Sequence, residues 1–159
     1  MGTTVSLQHE AVTYTIKETA AALRKALKTA FPTTKFSVRM QSGTTYGWFD
    51  VTWTDGPTWK QARSIIDTFQ SYDYDHYHDV RVPREPVMLI GTDGLVVEHR
   101  YCGRGVVDQR DFSAEARAWA EANMPAEFEA MMAEKWPCIG HDLAITEFLA
   151  ATDLTGVTL

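Results

Sequence analysis

The stretch YGWFDVTWTDGPTW, residues 46–59, decides the fold, because it reads as a strand, a tight turn and the first residues of a helix. In its first half, side chains alternate as they do in a strand with one buried and one exposed face. The residues predicted to face the core are Phe49, Val51 and Trp53. Trp48 and Asp50 fall on the opposite face, and we expect both to point outward.

The second half of this stretch contains TDGPT, residues 54–58, which we call the corner. Gly56 permits a backbone conformation that other residues rarely adopt, and Pro57 cannot extend a strand ladder. Thr58 and Gln61 have the spacing of a capping box, in which two side chains satisfy exposed N–H groups at a helix start. We therefore predict a helix from the corner to about residue 70.

Hydrophobic periodicity predicts further elements on either side of the corner. Upstream we predict a strand at residues 11–16, a helix at 17–31 that ends before a proline, and a second strand at 35–41. Downstream we predict a polar and aromatic loop at residues 71–86 and two strands at 87–90 and 95–101, joined by the hairpin signal GTDG. A series of helices is predicted at residues 113–152.

This order of elements predicts an α+β fold in two parts. Residues 1–105 are expected to form a ferredoxin-like split βαβ sandwich, an antiparallel sheet with two helices on one face. Residues 106–159 are expected to form an acidic helical extension that packs on this domain or projects from it.

The formal net charge of the 159 residues is −6, which argues against a general nucleic-acid-binding protein. Residues 17–39 nevertheless carry six basic residues and one acid, whereas residues 108–153 carry ten acids and three basic residues. Two cysteines are too few for a disulfide scaffold, and no apolar run is long enough to span a membrane. MGTTVSLQHE, at the start, lacks the basic and apolar parts of a signal peptide, so we expect a cytoplasmic protein.

KETAAALRKALKTAFPTTKFSVRM, residues 17–40, followed by FDVTWTDGPT, residues 49–58, resembles the large polyvalent-protein-associated domain family, type 29. The shared features are a helix ending in Phe-Pro, a KFSVR strand and a V-x-W-T-D-G-P-[ST] corner. The resemblance covers about residues 12–80. It implies an origin in a phage or conjugative element and a role after DNA entry, against host defences. It implies no established chemistry and identifies no catalytic residue.

The sequence SYDYDHYHD, residues 71–79, is the first candidate binding surface. Tyrosines offer large, rigid contact areas, and carboxylates can mimic phosphates toward a basic partner. The candidate partner-binding residues are Tyr72, Asp73, Tyr74, Asp75, His76, Tyr77, His78 and Asp79, together with Glu121, Glu127 and Glu129 of the acidic helices. Because carboxylates and imidazoles also suit divalent cations, a metal-dependent enzyme is an alternative.

Residues 46–53 partly match the strand signature K/R-G-F/Y-G/A-F-V-x-F/Y of RNA-recognition domains. The basic residue that opens the signature is missing, and Asp50 stands where an aromatic side chain should stack on a base. We therefore expect this strand to serve the core. A different candidate nucleic-acid surface is the first predicted helix, with the basic residues Lys17, Arg24, Lys25 and Lys28.

Two cysteines and two histidines have the composition of a structural zinc site: His99, Cys102, Cys138 and His141. They form two pairs at i,i+3 spacing, and a zinc ion there would tie the helical extension to the last predicted strand. We expect no other cofactor, because the chain contains no P-loop, G-x-S-x-G or H-E-x-x-H motif.

These patterns together predict a non-enzymatic protein of a phage or other mobile element that acts in the host cytoplasm. We expect it to bind and inhibit a host nucleic-acid-targeting defence complex, in the manner of an anti-CRISPR protein. The alternatives are a nucleic-acid-binding accessory protein that uses the basic first helix, and a metal-dependent enzyme. Self-association stays open.

Overall fold

The computed structural model describes residues 10–159, so the N-terminal segment used to predict the absence of a signal peptide lies outside the described residues. The described strands are β1 (Glu10–Thr13), β2 (Phe36–Met40), β3 (Trp48–Thr54), β4 (Tyr72–Asp75), β5 (Val80–Pro83), β6 (Val87–Ile90), β7 (Val96–Arg100) and β8 (Gly105–Asp111). The described α-helices are α1 (Ile16–Ala30), α2 (Trp59–Ile66), α3 (Ala114–Asn123), α4 (Ala126–Lys135) and α5 (Gly140–Ala151).

The central sheet has the strand order β2-β3-β8, in which β3 pairs antiparallel with β2 and parallel with β8. Phe49, Val51 and Trp53 of β3 are buried, which confirms the predicted inner face. They share one apolar cluster with α1 and α2, in which Leu23 and Ile66 are fully buried. Because burying a side chain of this size contributes about 1.5–3 kcal/mol, this cluster is a major source of stability.

The other described strands form a second three-stranded sheet, β1-β7-β6, and a two-stranded sheet, β4-β5. The α+β class is confirmed, but the ferredoxin-like sandwich is not. The strands are divided among three sheets, two of which contain a parallel pair. β8 occupies the edge of β3 at which a ferredoxin-like fold would place the first strand, and β1 pairs with β7 instead.

The sequence does not predict β8. Its register with β3 puts Asp108 and Arg110 on the inward face beside Val106, so the alternation of apolar and polar residues is lost. β8 begins at the boundary drawn at residue 105 and pairs with β3 along its whole length. Only the parallel pairing, between segments far apart in the chain, makes it a strand.

The predicted corner between β3 and α2 is present. Asp55 and Gly56 both have left-handed backbone angles, with φ of 56° and 62°. The missing side chain of Gly56 leaves room for Thr34. Thr58 caps α2 through the predicted capping box. A 3₁₀ turn, Asp67–Phe69, follows α2, so the α-helix is shorter than predicted.

Arg110 joins the corner to the end of α5. Its guanidinium donates hydrogen bonds at 2.9–3.1 Å to four backbone carbonyls, those of Asp55, Gly56, Leu149 and Thr152. Burial lowers the pKa of Arg110, because it removes part of the charge from water. The corner is therefore the place where β3, β8 and the C-terminal helices meet.

The helical region predicted from residue 113 consists of α3, α4 and α5. Ser113 accepts a hydrogen bond from the backbone N–H of Ala116 and caps α3. The second apolar cluster lies between α3, α5 and the segment after α5, and its buried members are Ala116, Ala120, Ile145, Leu149 and Leu154. None of the helices within residues 10–159 combines the length and apolar composition needed to cross a membrane.

Candidate functional site

The loop predicted at residues 71–86 contains the two-stranded hairpin β4-β5, which corrects that prediction. Its turn is held by Asp75, whose carboxylate contacts the ring Nδ1 of His78 at 2.7 Å and accepts from the backbone N–H groups of Tyr77 and His78. These hydrogen bonds, led by that of the His78 side chain, lower the pKa of Asp75. Asp79 completes the turn with a left-handed φ of 56°.

The hairpin forms one wall of a cleft of about 530 Å³, and the end of α2 and the start of β8 form the others. Four arginines line it, and we call it the arginine cleft: Arg63, Arg81, Arg84 and Arg104. Its aromatic and imidazole side chains are Trp48, Tyr72, Tyr74 and His76. The lining acids are Asp67 and Asp73, so four positive charges meet two negative ones, on a chain of net charge −6.

Two of these arginines are engaged in ion pairs. Arg63 contacts Asp67 and Asp108, each at 2.6 Å. The second carboxylate oxygen of Asp108 is buried and has no hydrogen-bond partner among residues 10–159. Arg84 contacts Asp73 at 2.7 Å and also donates to the backbone carbonyl of Asp67. Arg63 and Arg84 therefore connect α2 with β8 and with the hairpin.

The other two arginines, Arg81 and Arg104, make no ion pair with any residue of the described range 10–159. Both are exposed. Among residues 10–159, the guanidinium of Arg104 makes one hydrogen bond, a long one of 3.5 Å to the backbone carbonyl of Tyr46. A ligand can therefore bind to these two guanidinium groups without breaking an ion pair within residues 10–159.

Trp48 lies on the outward face of β3, as predicted, and reaches the arginine cleft across Gly105. A Cβ atom at Gly105 would come within 2.7–2.8 Å of three carbons of the Trp48 ring, so the ring lies directly over the backbone of β8. The guanidinium carbon of Arg81 lies 5.3 Å from the ring centroid, in a cation–π contact. Arg81 is paired with Tyr74 across the hairpin, so both side chains share a face.

The predicted partner-binding residues thus divide into two groups. Tyr72, Asp73, Tyr74 and His76 line the arginine cleft, whereas the rest of the segment forms the turn, where the Tyr77 side chain is 91% exposed. Glu121 and Glu127 are exposed on α3 and α4. Glu129 contacts the ring Nδ1 of His141 at 2.8 Å. The tyrosines and the basic residues are therefore neighbours, and the hairpin does not present an unbroken acidic surface.

The four basic residues predicted on the first helix, Lys17, Arg24, Lys25 and Lys28, are exposed on α1, and none lines the arginine cleft. Arg24 donates to the backbone carbonyl of Val38 at 2.6 Å. Arg24 and Lys28 instead share a separate depression of about 360 Å³ with Lys35. Phe36 is the aromatic side chain that lines this depression.

The four candidate zinc ligands are not brought together. His99 contacts the hydroxyl of Tyr14 at 2.7 Å, and Cys102 lies 3.5 Å from the hydroxyl of Thr19. Cys138 is exposed between α4 and α5, and His141 pairs with Glu129. Within residues 10–159, no three histidine, cysteine or acidic side chains converge as a metal site would require.

The sequence alone does not predict the four arginines of the cleft: Arg63, Arg81, Arg84 and Arg104. They come from three separate segments and show no periodicity, so they do not form a motif. One local signal was present in VRVPREP, residues 80–86, where two arginines follow the tyrosine-rich segment directly. A hairpin would bring the two halves of that region together.

No curated protein and no solved structure matches the chain. The family model described as large polyvalent protein associated domain 29 matches residues 14–113, a longer region than the resemblance covers. This match runs from the end of β1 through the corner and the whole of β8 to the cap of α3. The chain therefore belongs to the large polyvalent protein associated domain 29 family, which indicates a protein associated with phages or other mobile elements.

Proposed function

We propose that this mobile-element protein acts by binding, without chemistry of its own, and that the arginine cleft binds nucleic acid. The observation that supports this most strongly is the combination of Arg81 and Arg104, both without an acidic partner in residues 10–159, with the half-buried ring of Trp48. Phosphate-binding arginines beside an aromatic surface are the usual elements of a nucleic-acid groove.

The charge distribution explains how an acidic protein can bind a polyanion. Exposed charges farther apart than about 8–10 Å are screened at physiological salt, so a phosphate responds to the charges nearest to it. In the arginine cleft these are four guanidinium groups against the two lining carboxylates and that of Asp108, which pairs with Arg63. Guanidinium groups also bind phosphate with two parallel hydrogen bonds, which lysine cannot do.

Two double variants test this location. We expect Arg81→Gln with Arg104→Gln to weaken binding of a fluorescent oligonucleotide at low salt, measured by anisotropy. The dependence of log K on log salt should become shallower by about 0.7 per lost phosphate contact on a single strand. The matched control is Lys17→Gln with Lys25→Gln, which removes the same charge from exposed positions of α1. Weaker binding in the α1 variant alone would move the site to the basic helix.

A second candidate function is inhibition of a host nucleic-acid-targeting defence complex through a protein interface, in the host cytoplasm. The observation that favours it is an apolar surface on the β6-β7 hairpin, where Ile90 is 77% and Leu95 is 56% exposed. Met88, Leu89 and Val96 are also at least 40% exposed. Exposed apolar side chains on an edge strand are typical of a site that pairs with another protein.

Affinity capture from host lysate at low salt, with and without nuclease, separates the two candidates. A partner that survives nuclease and is lost in Ile90→Lys supports inhibition by protein contact. Val107→Lys is the control, because Val107 is also exposed and apolar but lies on β8 of the central sheet. If nuclease treatment removes every captured partner, the result supports nucleic-acid binding and contradicts the proposed inhibition through a protein interface.

A further inference from the structure

We infer that the arginine cleft selects single-stranded nucleic acid, with Trp48 as the platform on which an unpaired base stacks. This inference rests on the proposed nucleic-acid binding and adds the class of ligand. It identifies Trp48 as a residue that determines specificity. Trp48 is the aromatic side chain of β3 that points outward, whereas Phe49 and Trp53 are buried in the core.

The position of the Trp48 ring supports a role as a platform. The ring lies over the backbone of Gly105, in a place that any side chain at residue 105 would occupy. One face of the ring is therefore supported by the backbone of β8. Preorganised aromatic surfaces of this kind bind bases of any type, because every base has a π face.

The second observation is the contact between Arg81 and the same ring, at 5.3 Å. An arginine in this position can contribute both a cation–π contact and a phosphate contact. A base that stacks on Trp48 takes the place of the Arg81 guanidinium over the ring, and Arg81 then turns to the phosphates of that nucleotide. Arg104 lines the same cleft and offers a second guanidinium to the phosphates. One nucleotide thus satisfies the aromatic and the charged parts of the cleft together.

The third observation is size. The cleft volume of about 530 Å³ falls within the range of about 300–1,000 Å³ typical of small-ligand pockets. A base in a duplex has both faces covered by its neighbours in the stack, so it cannot offer a face to Trp48. The cleft therefore accommodates an unpaired nucleotide and reads a duplex only through its phosphates.

The test compares a short oligothymidylate, a duplex of equal length and thymidine monophosphate, by anisotropy competition and tryptophan fluorescence. We expect the single strand to bind more tightly than the duplex and to quench the tryptophan emission, and we expect Trp48→Leu to remove this quenching. Because one stacked base contributes a factor of about 5 to 150, Trp48→Leu should weaken single-strand binding by that factor and leave duplex binding within about twofold. Trp48→Phe should retain part of the preference.

The matched control is Trp59→Leu. Trp59 is 50% exposed, lies on α2 and also has an arginine, Arg63, over its ring at 5.7 Å, but it does not line the arginine cleft. Far-UV circular dichroism and the thermal midpoint establish that each variant is folded. Trp48→Phe keeps the test valid if Trp48→Leu does not fold.

The outcomes separate the inference from the proposal on which it rests. If the wild-type protein binds no nucleic acid, the proposed function fails and the inference fails with it. If it binds single strand and duplex equally, or if Trp48→Leu leaves their ratio unchanged, only the inference is overturned. If thymidine monophosphate binds as tightly as the oligomer, the ligand is a free nucleotide and the strand assignment is wrong.

Discussion

Replacing Arg110 by methionine should destabilise the protein more than any other single change to an arginine outside the cleft. Methionine keeps most of the apolar stem, which packs near Phe112, where the guanidinium lies 4.8 Å from the ring centroid. The change therefore removes the hydrogen bonds of the guanidinium and little of its packing. These bonds connect β8 to the corner and to the end of α5.

The magnitude follows from the carbonyls that lose their partner. The carbonyl of Gly56 also accepts from the backbone N–H of Leu154, and that of Leu149 accepts from Thr152, so both keep a hydrogen bond. The carbonyls of Asp55 and Thr152 depend on Arg110. An unsatisfied buried polar group costs about 1–3 kcal/mol. Because this site is partly exposed and water can enter, we expect a loss of about 2–4 kcal/mol.

Urea unfolding followed by far-UV circular dichroism measures this loss. The control is Arg117→Met, since Arg117 is exposed on α3 and its side chain makes no hydrogen bond or ion pair with residues 10–159; its effect should stay within about 0.5 kcal/mol. Arg110→Lys should fall between the two, because an ammonium group reaches fewer acceptors. Equal urea midpoints for Arg110→Met and Arg117→Met would refute the role assigned to Arg110.

Two further predictions concern the corner and the hairpin. Gly56→Ala should lower the thermal midpoint more than Gly43→Ala. Both glycines have a positive φ, but only a Cβ atom at Gly56 would meet Thr34, at 2.7 Å from Cγ2 of that residue. Equal shifts of the thermal midpoint would argue against a steric role for Gly56. Carboxyl NMR should show that Asp75 titrates with a pKa below its usual range. The stability that this carboxylate contributes is present above the unfolded-state pKa and is lost as the pH falls through the lower folded-state pKa. His78→Ala should raise the pKa of Asp75, and an unchanged titration midpoint would contradict the contact between the two side chains.

Local structure near the corner could be predicted because short-range physics determines it. The alternation in β3 identified the buried residues, and the spacing of Thr58 and Gln61 identified the capping box that starts α2. The GTDG signal predicts the turn between β6 and β7 for the same reason, and Gly94 in that turn has a positive φ of 79°. Such features depend on neighbours only a few residues away.

The candidate site could be predicted only in part. The sequence predicts a binding surface in the tyrosine-rich segment, but it does not predict the neighbouring arginines, because Arg63 and Arg104 come from distant segments. The formal charges in the sequence also do not show which of the cleft arginines form ion pairs with carboxylates. Arg84 and Arg63 have carboxylate partners, whereas Arg81 has none within residues 10–159, although all carry the same formal charge.

The sequence by itself determined the periodic elements, the inner face of β3, the corner and the family, because each depends on residue types at short spacing. The tertiary structure decided the parallel pairing of β3 with β8, which no local pattern signals. That pairing places Gly105 beside Trp48 and brings Arg104 to the hairpin. The arginine cleft exists only in the folded chain, because contacts between distant segments, and not proximity in sequence, assemble its charges around one ring.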